Sequence, residues 1–466
     1  MSEFGKRLIE QGIINADQLA SALRRQRTSG GRLGQNLKAL GFIRDEDVDK
    51  VFHRVPLPPR TLQETGLDQA LVEGLLLKQM LVLGEFRLND LSQRLKLPAS
   101  VIEQELADLK REHLVEVKPA AGMTTLAYEF RLTGQGRAKA NSHLEQCRYV
   151  GPAPVPLDAY AEQVEIQTVR SIAVTEPDVL AALGHLVLPE RTVHQLGPAL
   201  SSGQALFIYG PAGNGKTSIA EAVSHILRDA VYVPYAICVG EQIIRLYDPI
   251  NHELVDSGDD PLRSDQRWLQ VRRPVVMTGG ELTLRMLDLD FNEQSKFYDA
   301  SLQLKANNGL LILDDFGRQL VEPHLILNRW IVPLDRRVDF LTLHTGMKFA
   351  VPFDMLMIFA TNLEPKALVD DAFLRRIRYK IKVGHPSASD FRQIFELVCQ
   401  QRGVRFDAKI FDWMVREYYI TGARHFSASH PRDLVDHLVS HARYFDRPPE
   451  MTEATVRFAC ESYFVH

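Results

Sequence analysis

The residues best suited to chemistry run Gly210, Pro211, Ala212, Gly213, Asn214, Gly215, Lys216, Thr217, Ser218, a fit to GxxxxGK[ST]. An apolar strand pattern, Ala205–Tyr209, leads into it, and a helical pattern, Ser218–Arg228, leads out. That is the setting a phosphate-cradling loop needs. Glycines let backbone N–H groups turn inward around phosphate oxygens, and the helix N-terminus adds its dipole. Lys216 is then the cation for the β- and γ-phosphates, and the Thr217 hydroxyl is a ligand for Mg2+.

Two further apolar runs end in polar residues. Gly309–Leu313 finishes in the pair Asp314–Asp315, and Leu356–Thr361 finishes in Asn362. Beside a phosphate loop, Asp314 would orient magnesium, while Asp315 would act as base toward an attacking water. An aspartate is one methylene shorter than the glutamate usual at that second position, which leaves slow hydrolysis or a water-mediated role open. Asn362 would hydrogen-bond the γ-phosphate or that water, unless it simply ends its strand.

Taken together, these segments resemble the AAA+ ATPase superfamily over residues 165–466. GPAGNGKT looks like its Walker A, LLILDD like its Walker B, and Asn362 like its sensor 1. Asp370–Tyr379 looks like the arginine-finger segment, with Arg375 and Arg376 ranked ahead of Arg378. Arg432, in SHPRDL, resembles sensor 2. The resemblance implies ATP and Mg2+ as cofactors, an α/β P-loop core at 165–386, a helical lid at 387–466, and a ring-forming homo-oligomer, expected to be a hexamer. About 90 residues separate the first two motifs. This is longer than one strand–helix unit requires, and the excess is either a client-engaging loop or an ordinary surface one.

Ahead of the core lie two smaller patterns. Phe4–Ile14 returns as Leu33–Ile43 at an offset of 29, which predicts two helical hairpins over 1–54. Its second copy, RLGQNLKALGFI, is similar to the repeat in N-terminal domains of type II secretion and type IV pilus ATPases. Some of those bind cyclic di-GMP, which makes Arg32, Leu33, Gly34, Leu37 and Gly41 the candidate residues beside a packing-only reading. A Pro-rich linker follows at 55–66. Residues 67–147 read helix, helix, turn, helix, strand, tip, strand, helix, the order of a winged helix–turn–helix. Across 67–145 ten basic residues face eleven acidic ones, a poor balance for holding phosphate backbones. A second Pro-rich linker spans 148–164. The fold class is therefore multidomain: a small all-α repeat, an α+β winged helix, an α/β P-loop core and a C-terminal helical lid.

The whole chain narrows the setting. Its 466 residues suit roughly three domains. A formal charge of −4 with 24% charged residues advertises neither nucleic acid nor membrane. The four cysteines stand far apart and read as reduced thiols. Without a signal-like start or a membrane-length apolar run, the expected location is cytoplasmic, with no membrane span. The expectation is an ATPase that remodels or assembles a protein client recruited by its N-terminal modules. The alternatives are a DNA-binding nucleotide switch using the winged helix, and a nucleotide-binding scaffold with little turnover.

Overall fold

Five apolar runs pair into one parallel sheet in the order Val275–Thr278, Leu310–Leu313, Leu356–Thr361, Leu206–Tyr209, Tyr379–Lys382. Three of them are buried along their whole length or nearly so, as a strand covered on both faces must be. This computed structural model describes residues 8–9, 13–29, 33–43, 55–118, 129–255, 264–368 and 371–464. The chain divides into two units: Met1–Thr168 with Ala230–Arg272 and Asp290–Ala300, and Val169–Asp229 with Arg273–Leu289 and Ser301–His466.

The second unit holds the parallel sheet. One apolar cluster joins Leu206, Ile208, Ile219, Val223, Ile312 and Ile358. Another joins Phe207, Phe316, Trp330 and Phe359, whose Phe207–Phe359 and Phe316–Phe359 ring centroids lie 5.0 and 5.2 Å apart. An antiparallel hairpin, Val338–Thr342 with Lys348–Pro352, stands between helix Pro323–Arg336 and the third strand. After the sheet the chain is helical: Ala388–Arg402, Ala408–Met414 running into a π-helical turn Val415–Ile420, His430–Tyr444 and Glu453–Tyr463. These helices close a core of their own around Phe391, Phe395, Met414 and Leu438. A parallel phosphate-loop sheet followed by a helical lid is consistent with a multidomain AAA+-like architecture.

In the first unit, helices Leu88–Leu95 and Ala99–Arg111 are joined by a short turn and followed by Val115–Lys118, Glu129–Leu132 and helix Gly134–Gln146. The strands form an antiparallel sheet, with Glu129–Leu132 between Glu85–Phe86 and Val115–Lys118. The tip expected at 119–125 lies outside the described residues. The stretch at 148–164, read from sequence as a linker, carries the two-residue strand Val155–Pro156 and the helix Leu157–Ile166.

Most of the long stretch between the phosphate loop and the Asp314–Asp315 pair builds on this unit. Ala236–Val239, Gln242–Arg245, Phe297–Asp299 and Asp290–Asn292 join Val155–Pro156 in a second five-stranded sheet. Ala236, Cys238 and Ile243 are buried in the same cluster as Leu75, Leu76 and Met80. Arg267 ties the parts together, donating to the Thr65 and Pro154 carbonyls while paired with Asp265 at 2.8 Å. At the N-terminus, Leu19, Leu33, Leu37 and Ile43 share a small core between helices Ala16–Ser29 and Leu33–Ala39.

Candidate nucleotide site

The strand Leu206–Tyr209 delivers the chain to Gly210 at its carboxyl end, where open parallel sheets place their ligands. Gly210 has φ +140, and a Cβ there would lie 2.1 Å from the Val383 carbonyl oxygen. Gly213 has φ +75, with its missing Cβ only 2.6 Å from the Ser427 and Ser429 hydroxyls. The first position is closed to any side chain by backbone, and the second by conformation and neighbours together. Helix Lys216–Ser224 begins directly after the loop.

Lys216 is almost fully buried. Its Nζ donates to the carbonyls of Gly210 at 3.0 Å and Pro211 at 2.9 Å. Burial holds its ammonium below the ordinary lysine range, and the charges of Asp315 and Asp314 oppose that shift. The next residue, Thr217, donates its hydroxyl to both carboxylate oxygens of Asp314, at 3.1 and 2.8 Å. Hydroxyl and carboxylate therefore meet as a pair of hard oxygen donors, the set that suits magnesium.

Asp315 takes a left-handed backbone conformation, φ +46, uncommon outside glycine. Its carboxylate accepts from Asn362 Nδ2 at 3.0 Å, and its own N–H donates to Asp314 Oδ1 at 3.0 Å. Phe316 anchors this turn: its N–H donates to the Ala360 carbonyl, and its carbonyl accepts from Thr361 Oγ1 at 2.6 Å. The structure thus brings together Gly210–Ser218, Asp314, Asp315 and Asn362.

The three candidate finger arginines lie at the other end of the sheet. Arg375, Arg376 and Arg378 precede strand Tyr379–Lys382, whose register pairs Tyr379 with Leu206 and Lys382 with Tyr209. They lie at the amino end of the sheet, about 13 Å of strand away from Gly210. Arg432 sits in the first turn of His430–Tyr444, largely exposed, with Nε 3.5 Å from Asp433. Of the N-terminal candidates, Leu33 and Leu37 are buried in the repeat's core, Gly34 lies in the helix Leu33–Ala39, and Gly41 turns at φ +71. Arg32 lies outside the described residues.

Other participants carry no motif. The lid touches the phosphate loop through Ser427–Ser429: Ser427 Oγ and Ser429 N–H both donate to the Gly213 carbonyl, at 3.1 and 2.8 Å. The Ala428 N–H donates to Asn214 Oδ1 at 3.1 Å. Gln319 Nε2 reaches the carbonyls of Gly279, Asp314 and Asp315 at 3.3, 3.3 and 3.4 Å, bracing the acidic turn. Short polar side chains so far from the loop in sequence, 214 residues between Ser427 and Gly213, give no local signal, so spacing alone misses them.

A family model described as a domain of unknown function, DUF8689, matches residues 387–462, which fall in the helical lid. No curated protein matches the chain. Among solved structures, the chain is similar to the RuvB Holliday junction branch migration motor of Thermotoga maritima, at 11% identity over 59% of this chain and 68% of that one, TM-score 0.33. It is also similar to NtrX from Brucella abortus, at 12% identity over 69% and 60%, TM-score 0.35. Domain III of the Thermotoga maritima replication initiation protein DnaA gives 12% identity over 63% and 99%, TM-score 0.37.

Proposed function

We propose that this chain is an ATP-hydrolysing protein of the AAA+ type. The observation that carries the reading is the direct linkage of the helix start Lys216–Thr217 and two strand ends, Asp314–Asp315 and Asn362, through the Thr217–Asp314 and Asn362–Asp315 hydrogen bonds. Lys216 and the loop N–H groups hold the phosphate chain. Thr217 and Asp314 hold magnesium, which when bound with the nucleotide neutralises charge on the β- and γ-phosphates. Asp315 takes the proton from the attacking water, and Asn362 fixes the direction of that carboxylate. Arg375 or Arg376 serves a neighbouring chain's nucleotide in a ring, and Arg432 reports nucleotide state to the lid. The test is steady-state ATP hydrolysis: magnesium-dependent turnover in the native chain, lost in Asp315→Asn with ATP binding kept, bears the reading out. Equal turnover in that variant would sink it.

Two targets follow from the first unit. Paired helices flanked in sequence by the strands of one three-stranded antiparallel sheet favour a winged helix acting on DNA, which makes the chain a DNA-associated nucleotide switch. The pairing of Lys118 with Glu85, Arg87 with Glu129 and Arg131 with Glu116 favours a protein client, because those cations are already neutralised. Fluorescence anisotropy with duplex DNA across a salt series separates them. Binding that weakens steeply with salt belongs to the first reading, and its absence at low salt to the second.

A further inference from the structure

At the amino ends of the parallel strands, on the far side of the sheet from the phosphate loop, five arginines line one cavity. They are Arg170, Arg337, Arg375, Arg376 and Arg378, around a volume of about 570 Å³. Three separate pieces of chain supply them. Arg170 comes from the turn Val169–Ser171, Arg337 from the left-handed residue that ends helix Pro323–Arg336, and the other three from the segment before Tyr379–Lys382. Arg170 and Arg337 belong to no nucleotide motif.

The cavity is rich in guanidinium and poor in carboxylate. Asp335 pairs with Arg376 at 2.7 Å, and Asp354 lies 3.5 Å from Arg170. Asp354 is already engaged, accepting from the Val169 N–H and Asn308 Nδ2, both at 2.9 Å. Arg337 donates to the Gly203 carbonyl at 3.2 Å. Among the described residues no carboxylate pairs with Arg375 or Arg378. Burial first, and the crowding charge of Arg170 after it, hold Arg337 below the ordinary arginine value, with the charge of Asp354 opposing them. Such crowding is relieved by an anion.

We infer that this cavity is a second anion site, shaped for a compound carrying several phosphate groups and separate from the phosphate loop. A guanidinium fork matches phosphate oxygens two at a time, and five forks exceed what one phosphate can engage. The volume falls in the range of small-molecule sites. About 13 Å of strand between Arg378 and Gly210 keeps the two sites from sharing one phosphate chain within a subunit. The inference shares Arg375 and Arg376 with the proposed ring contact, but Arg170, Arg337 and Arg378 have no part in the hydrolytic reading, and the cavity lies at the opposite end of the strands from its own phosphate loop. The phosphates have two sources, a free polyphosphate compound or the triphosphate of an adjoining chain, and a dilute, nucleotide-free titration selects the first.

The experiment is calorimetric titration of inorganic tripolyphosphate into the full-length Lys216→Ala protein, in which the phosphate loop has lost its cation. We expect saturable uptake of one tripolyphosphate per chain, weakened at least ten-fold by Arg170→Gln with Arg378→Gln and weakened by added salt. Arg375→Gln, a change at an exposed position, is the companion variant if the double change melts early, and it should weaken uptake by a smaller factor. No uptake, or uptake indifferent to the arginine changes, would overturn the inference. ATP hydrolysis by the native chain alongside no uptake would leave the catalytic reading standing and this one refuted.

Discussion

At the scale of single residues, Asp315 is the position where geometry and chemistry meet. A left-handed aspartate costs on the order of 1 kcal/mol against an extended one. The contacts that offset this strain, the Asn362 amide and the two Phe316 backbone bonds, also aim the carboxylate. Asp315→Asn should lower kcat by about a hundred-fold or more, the range of a lost general base, with ATP affinity little changed. Lys216→Ala should abolish ATP binding, read by fluorescent-nucleotide titration, because no other loop side chain carries a positive charge. Gly213→Ala should also lose nucleotide binding, since its Cβ would collide with both lid serines at 2.6 Å. That variant tests the seat of the lid as much as the loop.

At the scale of elements, the lid is held to the loop by short hydrogen bonds rather than by apolar area. Removing one of them, Ser427→Ala, should cost about 1 kcal/mol of lid docking, seen as roughly five-fold weaker ATP binding with the melting temperature nearly unchanged. Phe316→Ala removes a fully buried ring beside the acidic turn and should cost about 3–5 kcal/mol of global stability. The lid also carries a pH dependence. Burial holds the His430 imidazole below its ordinary 6.5, against the opposing charge of Asp433. The folded state therefore binds fewer protons than the unfolded one, and stability present above pH 6.5 is lost as pH falls below it. Melting temperatures measured from pH 7.5 downward should drop, and His430→Asn should show a shallower drop.

At the scale of the whole molecule, the proposed role of Arg375 or Arg376 at a neighbour's nucleotide requires a second chain to complete the site. An arginine supplied by a neighbour is worth on the order of a thousand-fold in rate. Hydrolysis should therefore rise faster than linearly with protein concentration. Mixing Lys216→Ala chains with Arg375→Ala/Arg376→Ala chains should restore activity that neither has alone, read in a coupled phosphate-release assay. Strictly linear activity without rescue would place the arginines in a role confined to their own chain. No helix among the described residues is long and apolar enough to cross a membrane. The N-terminal repeat already spends Leu33 and Leu37 on its own core. Calorimetry of the full chain with cyclic di-GMP should accordingly show no heat of binding, and clear binding would decide for the ligand reading.

The candidate nucleotide site was legible in the sequence because its parts are local. A phosphate loop is one run of residues between a strand and a helix, and each acidic or amide residue ends an apolar run that announces itself as a strand. Strand order, and with it the meeting of Thr217 with Asp314 and of Asn362 with Asp315, came only from the folded chain. Periodicity marks where strands begin and end but carries no information about which strands lie side by side. The same limit hid the serines of the lid, the bracing Gln319 and the five-arginine cavity, whose members come from three separate segments of the chain. It also hid the fate of the long stretch between the motifs. Ala236, Cys238 and Ile243 read as ordinary apolar residues of an insertion, but they are buried against Leu75 and Leu76 of the first unit. Local pattern determined what each segment is, whereas only the burial of side chains distant in sequence decided which segments belong together.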